Sequence, residues 1–331
     1  MSGRRYRLLF AGLLIVAIVL WSAASVLIPV GGHGKSVVRI PKGATAGEVG
    51  EILASRHLIR SAFGFRLLSR VTRLGSRLRP GTYEIRPNMN SYDMLRMIAE
   101  GEVGVKWLTF PEGFTIQQMG DRLQAEGAGS SRKFTQDALY GGGAFHTSFP
   151  HPAGSLEGFL FPDTYAVPAG TSEKTVISEM LRSFESKVTK PFATDIAKSG
   201  MSLDQIVTLA SLIEREAKVP SDRPLISAVL RNRLRKNMRL ECDATVLYAL
   251  GKHKQRVYFK DLEVDSPYNT YRNAGLPPGP IANPGLDSIK AAMHPANVDY
   301  LYYVARPDGS HIFSRTFEEH QRAKRDARKA N

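Results

Sequence analysis

Cysteine, tryptophan and metal-binding patterns are nearly missing from this sequence of 331 residues. The one cysteine, Cys242, can form no internal disulfide and cannot build a cysteine-based zinc site alone, so the redox compartment is not legible from it. The eight histidines, among them His294, His311 and His320, show no His-Glu-x-x-His spacing, and neither a metal nor a cofactor is expected. The 19 prolines and 29 glycines follow no three-residue period, which excludes a collagen-like fibre. Acidic residues are in deficit: 31 Asp and Glu against 45 Lys and Arg leave a formal charge of +14. Residues 1–110 carry 16 basic and 6 acidic side chains, whereas 111–331 carry 29 and 25. Such a skew suits an anionic surface, whether phospholipid, wall polymer or nucleic acid, without choosing among them.

What is present is globular: 43% hydrophobic and 9% aromatic residues, and a length that accommodates two or three domains at roughly 100–200 residues each. Leu8 to Val30 is an uncharged run of 23 residues, and about 20 apolar residues in a helix cross a bilayer's hydrocarbon core. The run is longer than the ~7–15 residues of a signal-peptide core, which favours an uncleaved anchor at 8–30 over a cleaved leader. Arg4, Arg5 and Arg7 then keep residues 1–7 in the cytoplasm, and the rest of the chain faces the periplasm or the cell exterior of a bacterium. Gly31 to Ser36 superficially suggests a phosphate loop, but Pro29 stands where that motif needs glycine, so 31–35 reads as a linker.

Val38-Arg39-Ile40-Pro41-Lys42-Gly43-Ala44-Thr45 returns as Leu108-Thr109-Phe110-Pro111-Glu112-Gly113-Phe114-Thr115, and a helical pattern follows each. Pro and Gly stop a strand, and Thr45 or Thr115 caps the helix. With a segment at Phe63–Val71, a strand at Gly81–Ile85 and a Ser-capped helix from Ser91 to Ala99, residues 36–103 form a small α+β module. Residues 104–331 form a larger α+β domain, with helices at Glu173–Lys187, Ser202–Lys218 and Ser221–Asn237. A hairpin is predicted over Asp299–Arg306 and His311–Ser314, before a terminal helix at Phe317–Lys329.

The helix Ser202–Lys218 is the most informative stretch. Ser202 and Gln205 form a capping box, and Ile206, Leu209, Ala210, Ile213 and Ala217 make one apolar stripe. Glu214 and Glu216 flank that stripe on opposite sides, about 80° away, and Arg215 points away from it. Ala210 and Val207 lie one and two turns before Glu214, so its carboxyl is expected against apolar groups, a setting that suits a general acid near neutral pH. Boundary glutamates on helices are commonly ion-paired structural residues, and the pattern alone does not exclude this. Downstream, Tyr268-Asn269-Thr270-Tyr271 and the rigid Gly275–Gly285 loop present tyrosine and amide groups suited to sugar rings.

These motifs together resemble the YceG-like family of endolytic murein transglycosylases over about residues 8–322. The likeness is carried by the anchor, Leu156–Tyr165 (LEGFLFPDTY), Ala210–Ala217 (ASLIEREA), Asn232-Arg233-Leu234, Tyr268–Tyr271 and Gly275–Gly285 (GLPPGPIANPG). The resemblance implies that 36–103 is LysM-like and that 104–331 is the catalytic domain. It further implies non-hydrolytic cleavage of the β-1,4 bond between N-acetylmuramic acid and N-acetylglucosamine in nascent peptidoglycan, which leaves a 1,6-anhydro end and terminates elongation. The family's catalytic glutamate falls on Glu214. Glu157, Glu216, Asp243, Asn269, Thr270 and Tyr271 are weaker candidates for lining the cleft. The family often has proline after the aspartate where this chain has Asp243-Ala244. Implied partners are glycan strands, the membrane crossed once, and peptidoglycan synthases. The rival readings are a non-catalytic wall-binding adaptor and, from the cluster Arg231, Arg233, Arg235, Lys236 and Arg239, a nucleic-acid binder. That cluster is more simply the solvated face of a helix, so no nucleic-acid partner is expected.

Overall fold

A computed structural model describes residues 28–30, 36–86, 88–101, 105–168, 171–251 and 257–329. It is mixed α+β, with helices and three two-stranded sheets among those residues. No helix among them is long and apolar enough to cross a membrane; the expected anchor, apart from Ile28–Val30, and the linker 31–35 lie outside the described residues. The chain divides into two compact units, one running to Trp107 and adding Ala166–Gly170, the other comprising Leu108–Tyr165 and Thr171–Asn331.

In the first unit, β1 (Ser36–Ile40) pairs antiparallel with β2 (Gly81–Ile85), Ser36 opposite Ile85. Strand alternation turns Val38, Ile40, Tyr83 and Ile85 inward, where they meet Val49 and Leu53 of α1 (Ala46–Ser55) and Phe65 of α2 (Ala62–Val71). Leu95 and Ile98 of α3 (Ser91–Glu100) close this core. Thr45 caps α1 as expected, its hydroxyl accepting from the Glu48 amide at 3.3 Å while the Glu48 carboxylate accepts from the Thr45 amide at 2.7 Å. For α3 the expected Ser91 cap is wrong. Asn90 takes that place, its Oδ1 accepting from the amides of Tyr92 and Asp93 at 2.9 Å, because Asp93 sits three residues on and completes the box from Asn90.

The repeat is structural. β3 (Val105–Thr109) leads through Pro111-Glu112-Gly113 to α4 (Ile116–Ala125), capped by Thr115 as α1 is by Thr45. Gly43 and Gly113 adopt the same left-handed turn, φ 81° and 77°. The likeness extends further than the sequence motif, since α5 (Ser131–Tyr140) is capped by Ser130 as α2 is by Ser61, and β4 (Thr164–Pro168) pairs with β3.

Beyond β4 come α6 (Glu173–Phe184), α7 (Ala193–Lys198), α8 (Leu203–Glu216), α9 (Arg223–Arg235), α10 (Asp243–Leu250) and α11 (Leu286–Met293). The antiparallel hairpin β5 (Tyr302–Ala305) and β6 (His311–Ser314) and then α12 (Phe317–Lys329) finish the chain. The predicted helix Glu173–Lys187 ends early, passing into a π-helical turn at Glu185–Thr189. α8 is the central helix, packed on by α9 and α11; Ile206, Val207, Leu209, Ala210, Leu212 and Ile213 are fully buried. Its capping box is present, the Ser202 hydroxyl accepting from the Gln205 amide at 3.2 Å. Gly158 has φ +88° and lies where a Cβ would stand 2.6 Å from Pro280 and Val207, so the Leu156–Tyr165 segment is pressed between α8 and the Gly275–Gly285 loop.

Of the basic cluster, Arg235, Lys236 and Arg239 are exposed as expected, whereas Arg231 and Arg233 turn to the protein. Arg233 is buried, donating from Nε to Leu301 O at 2.7 Å and from Nη1 to Arg239 O, Leu240 O and Glu241 Oε2. Arg231 donates to Ala292 O and Ser199 O, each at 3.1 Å. These guanidiniums satisfy carbonyls at chain ends and loops.

Candidate active site

Three glutamates on or near α8 each meet the N-terminus of a different helix. The last turn of α8 places Glu214 against α11: its Oε2 accepts from the Gly285 amide at 3.1 Å and from Ser288 Oγ at 2.7 Å. Arg223 Nη2 stands 3.9 Å from Oε1, beyond hydrogen-bond length. The side chain is only 9% exposed. The apolar surroundings expected from Ala210 and Val207 are therefore replaced by amide, hydroxyl and guanidinium. The physical reason is that the unpaired amides at the start of α11 and the positive end of its dipole seek an acceptor.

Glu157 serves α4 in the same way. Its carboxyl is buried and accepts from the Ile116 amide at 3.0 Å, from Asn283 Nδ2 at 2.8 Å and from the Tyr248 hydroxyl at 3.4 Å. Burial pushes its pKa up to about 8 despite those donors. Glu216 accepts from the Ala244 amide in the first turn of α10 and from Tyr303; burial, helped by the charge of Asp243, raises it to about 7.

Of the three glutamates, Glu157 lines a cavity of about 490 Å³, together with Thr115, Gln118, Arg215, Tyr248 and Ile281, among others. Arg215 projects to this cavity and donates to Gly113 O at 3.4 Å. Gly113 also packs on Glu214, a Cβ there lying 3.5 Å from Glu214 Cγ, so the turn that Arg215 bonds to also touches the Glu214 side chain. On the α9 side, Arg223 lines a smaller recess of about 280 Å³ with Pro220, Asp287 and His294.

The weaker candidates separate. Tyr271 donates to Asp243 Oδ1 at 2.6 Å, next to Glu216 in the same cluster. Asn269 and Thr270 are buried and committed to the chain itself. Asn269 Nδ2 donates to Leu262 O and Val264 O, and Thr270 Oγ1 accepts from the Cys242 amide. Cys242 is buried beneath Glu216, and burial drives its thiol pKa upward, the reverse of a reactive cysteine.

Several site residues carried no signal of their own in the sequence. Asn283 is fully buried and holds two motifs together: its Oδ1 accepts from the Leu160 amide at 3.0 Å, while its Nδ2 reaches Phe114 O and Glu157. Ser288 and Arg223 reach Glu214 from α11 and α9. Glu112 lies on an exposed turn, yet its carboxyl rests on Gly285, where a Cβ would stand 2.0 Å from Glu112 Cδ. The repeat could have singled out Glu112, because the first copy has Lys42 in that position.

The YceG-like family pattern matches residues 38–326. A Bacillus subtilis (strain 168) protein named endolytic murein transglycosylase is 36% identical over 319 residues, which are 91% of this chain and 87% of that one. A protein of the same name from Streptococcus pneumoniae serotype 2 (strain D39 / NCTC 7466) is 30% identical over 89% of this chain and 59% of its own length. Among solved structures, the yceG-like protein lmo1499 from Listeria monocytogenes is 35% identical, with a TM-score of 0.60 over 88% of this chain and 99% of that one.

Proposed function

This chain belongs to the YceG-like family, and from that membership we propose that it is an endolytic lytic transglycosylase of peptidoglycan. The bond cut is the β-1,4 link from N-acetylmuramic acid to N-acetylglucosamine in nascent strands, with no water added. Glu214 is the proton carrier. Its carboxylic acid gives a proton to the glycosidic oxygen as the C1–O bond breaks. The resulting carboxylate takes the proton of the muramyl C6 hydroxyl as that oxygen bonds to C1, so the product ends in a 1,6-anhydro ring and Glu214 regains its starting state. One carboxyl is sufficient because the substrate supplies its own nucleophile, unlike a glycosidase that must activate water.

The observation that carries this reading is the division of labour between the two Glu214 oxygens. Oε2 accepts both hydrogen bonds, from Gly285 and Ser288, which orient the carboxyl. Oε1 has Arg223 at 3.9 Å and is the oxygen left to carry the proton. After transfer, the amide, hydroxyl and guanidinium face the charge that remains. The cavity beside Arg215, with Tyr248 and the amides of Gln117 and Gln118, offers a face and hydrogen-bonding groups for a saccharide. A single membrane span at 8–30 would hold the domain near newly made strands, with the LysM-like 36–103 module assisting capture and synthases nearby.

Mass spectrometry of products from uncrosslinked glycan tests the reaction. An anhydro end supports it, a reducing end indicates hydrolysis, and no product indicates a binding adaptor.

A further inference from the structure

The turn Pro111-Glu112-Gly113 places a second carboxyl beside Glu214. Glu112 and Glu214 approach Gly285 together: the Gly285 amide donates to Glu214 Oε2, and the space where a Gly285 side chain would start is filled by the Glu112 carboxyl, 2.0 Å from Cδ and Oε1. The neighbouring Gly113 lies against Glu214 Cγ. We propose that Glu112 is a positioning residue of the reaction, sharing a proton with Glu214 across Gly285; this rests on Glu214 being the proton carrier.

Three observations support it. The turn itself does not require an acid, since the first copy of the repeat makes the same left-handed glycine turn and the same threonine cap with Lys42 at this position, exposed to solvent. Gly285, with φ −74°, is not held by backbone conformation to be glycine; the need is for room, and Glu112 occupies that room. The surrounding charges also couple the two acids. Burial and the charge of Glu214 raise the Glu112 pKa, Arg223 of α9 opposes them, and Asp287 of α11 adds to them. Arg215 of α8 is engaged with Gly113 O, and Lys290 of α11 lies 3.7 Å from Asp287.

Burial and the neighbouring charge of Glu214 make the Glu112 carboxyl hold its proton more tightly. A Glu112 that keeps its proton beside Glu214 holds a proton at the site for the glycosidic oxygen at higher pH. Glu112 also faces water on its turn, whereas the Glu214 side chain is nearly enclosed, so it can return protons to the pair from solvent.

The test is the pH dependence of kcat and KM, with the full chain, for wild type, Glu112→Gln, Glu112→Ala and Glu214→Gln on uncrosslinked glycan. Both Glu112 variants are expected to keep the wild-type KM and acid-side turnover. Their alkaline limb is expected to fall at a pH lower by about half a unit or more. Alkaline limbs that superimpose on wild type, with Glu214→Gln inactive, overturn this inference alone. Turnover in Glu214→Gln overturns it together with the proposed reaction. Should the Glu112 variants fail to fold, the carbon-13 carboxyl titration of Glu112 in wild type and Glu214→Gln decides: a lower midpoint in the variant supports the coupling, and an unchanged midpoint overturns it.

Discussion

The Gly285 amide donates to Glu214 Oε2 over 3.1 Å, so the first turn of α11 and the last turn of α8 are joined through one carboxyl. Because Ser288 Oγ reaches the same oxygen from one turn further along α11, the orientation of Glu214 is set by two donors on a single short helix.

Removing one donor should misorient the carboxyl without unfolding the chain. Ser288→Ala is expected to lower kcat ~10- to 100-fold, the worth of one hydrogen bond to a charged group, with little change in KM or melting temperature. Steady-state kinetics alongside thermal melting check this.

Gly158→Ala should be a folding lesion. Its φ of +88° disfavours any side chain, and the new Cβ would meet Pro280 and Val207 at 2.6 Å, both in packed surroundings. A loss of ~3 kcal/mol or more is expected in denaturant unfolding.

The buried acids give stability a pH dependence of definite sign. Glu157 and Glu216 have folded pKa values of about 8 and about 7, above their ordinary 4.5. Below that ordinary value both are neutral, folded or unfolded, and impose no penalty. As pH rises, the unfolded chain releases these protons first, so stability falls until the folded values are passed. Melting temperature should decline from about pH 5 to about pH 8. Glu157→Gln, which mimics the neutral acid, should flatten that decline; circular dichroism melts across this range test it.

Much of this architecture was legible because local chemistry and tertiary packing agree. Thr45 and Thr115 cap helices after their Pro-Gly turns as expected, Ser202 does so with the spacing to Gln205 that signals a capping box, and the α8 stripe from Ile206 to Ile213 is buried as its period requires. The misreadings arise where a distant element decides. Glu214 meets polar groups because α11, seventy residues on, docks its N-terminus there, and helical phase contains nothing about that docking. Arg231 and Arg233 look solvated by charge alone, yet the carbonyls of Ser199, Ala292 and Leu301 need donors. Asn269 and Thr270 stood out as sugar-facing groups, yet Asn269 is bound to its own loop and Thr270 to Cys242 and Thr245 at the start of α10. Glu112 hid in a turn whose proline and glycine explained it sufficiently.

The proposed anchoring by residues 8–30 has a separate consequence. A chain beginning at Val30 should be soluble without lipid and should release anhydro-ended products at a rate comparable to the full chain in detergent. Insolubility of that chain contradicts a single anchor; fractionation after high-speed centrifugation reads it directly.

The most direct measurement is product release by Glu214→Gln from uncrosslinked glycan, followed by mass spectrometry, with thermal melting to establish that the variant is folded. The amide keeps the volume of the carboxyl but cannot carry the proton, so anhydro-ended fragments should vanish while the melting temperature stays near wild type. A folded Glu214→Gln chain that releases those fragments at the wild-type rate contradicts the assignment of this residue and the mechanism built on it.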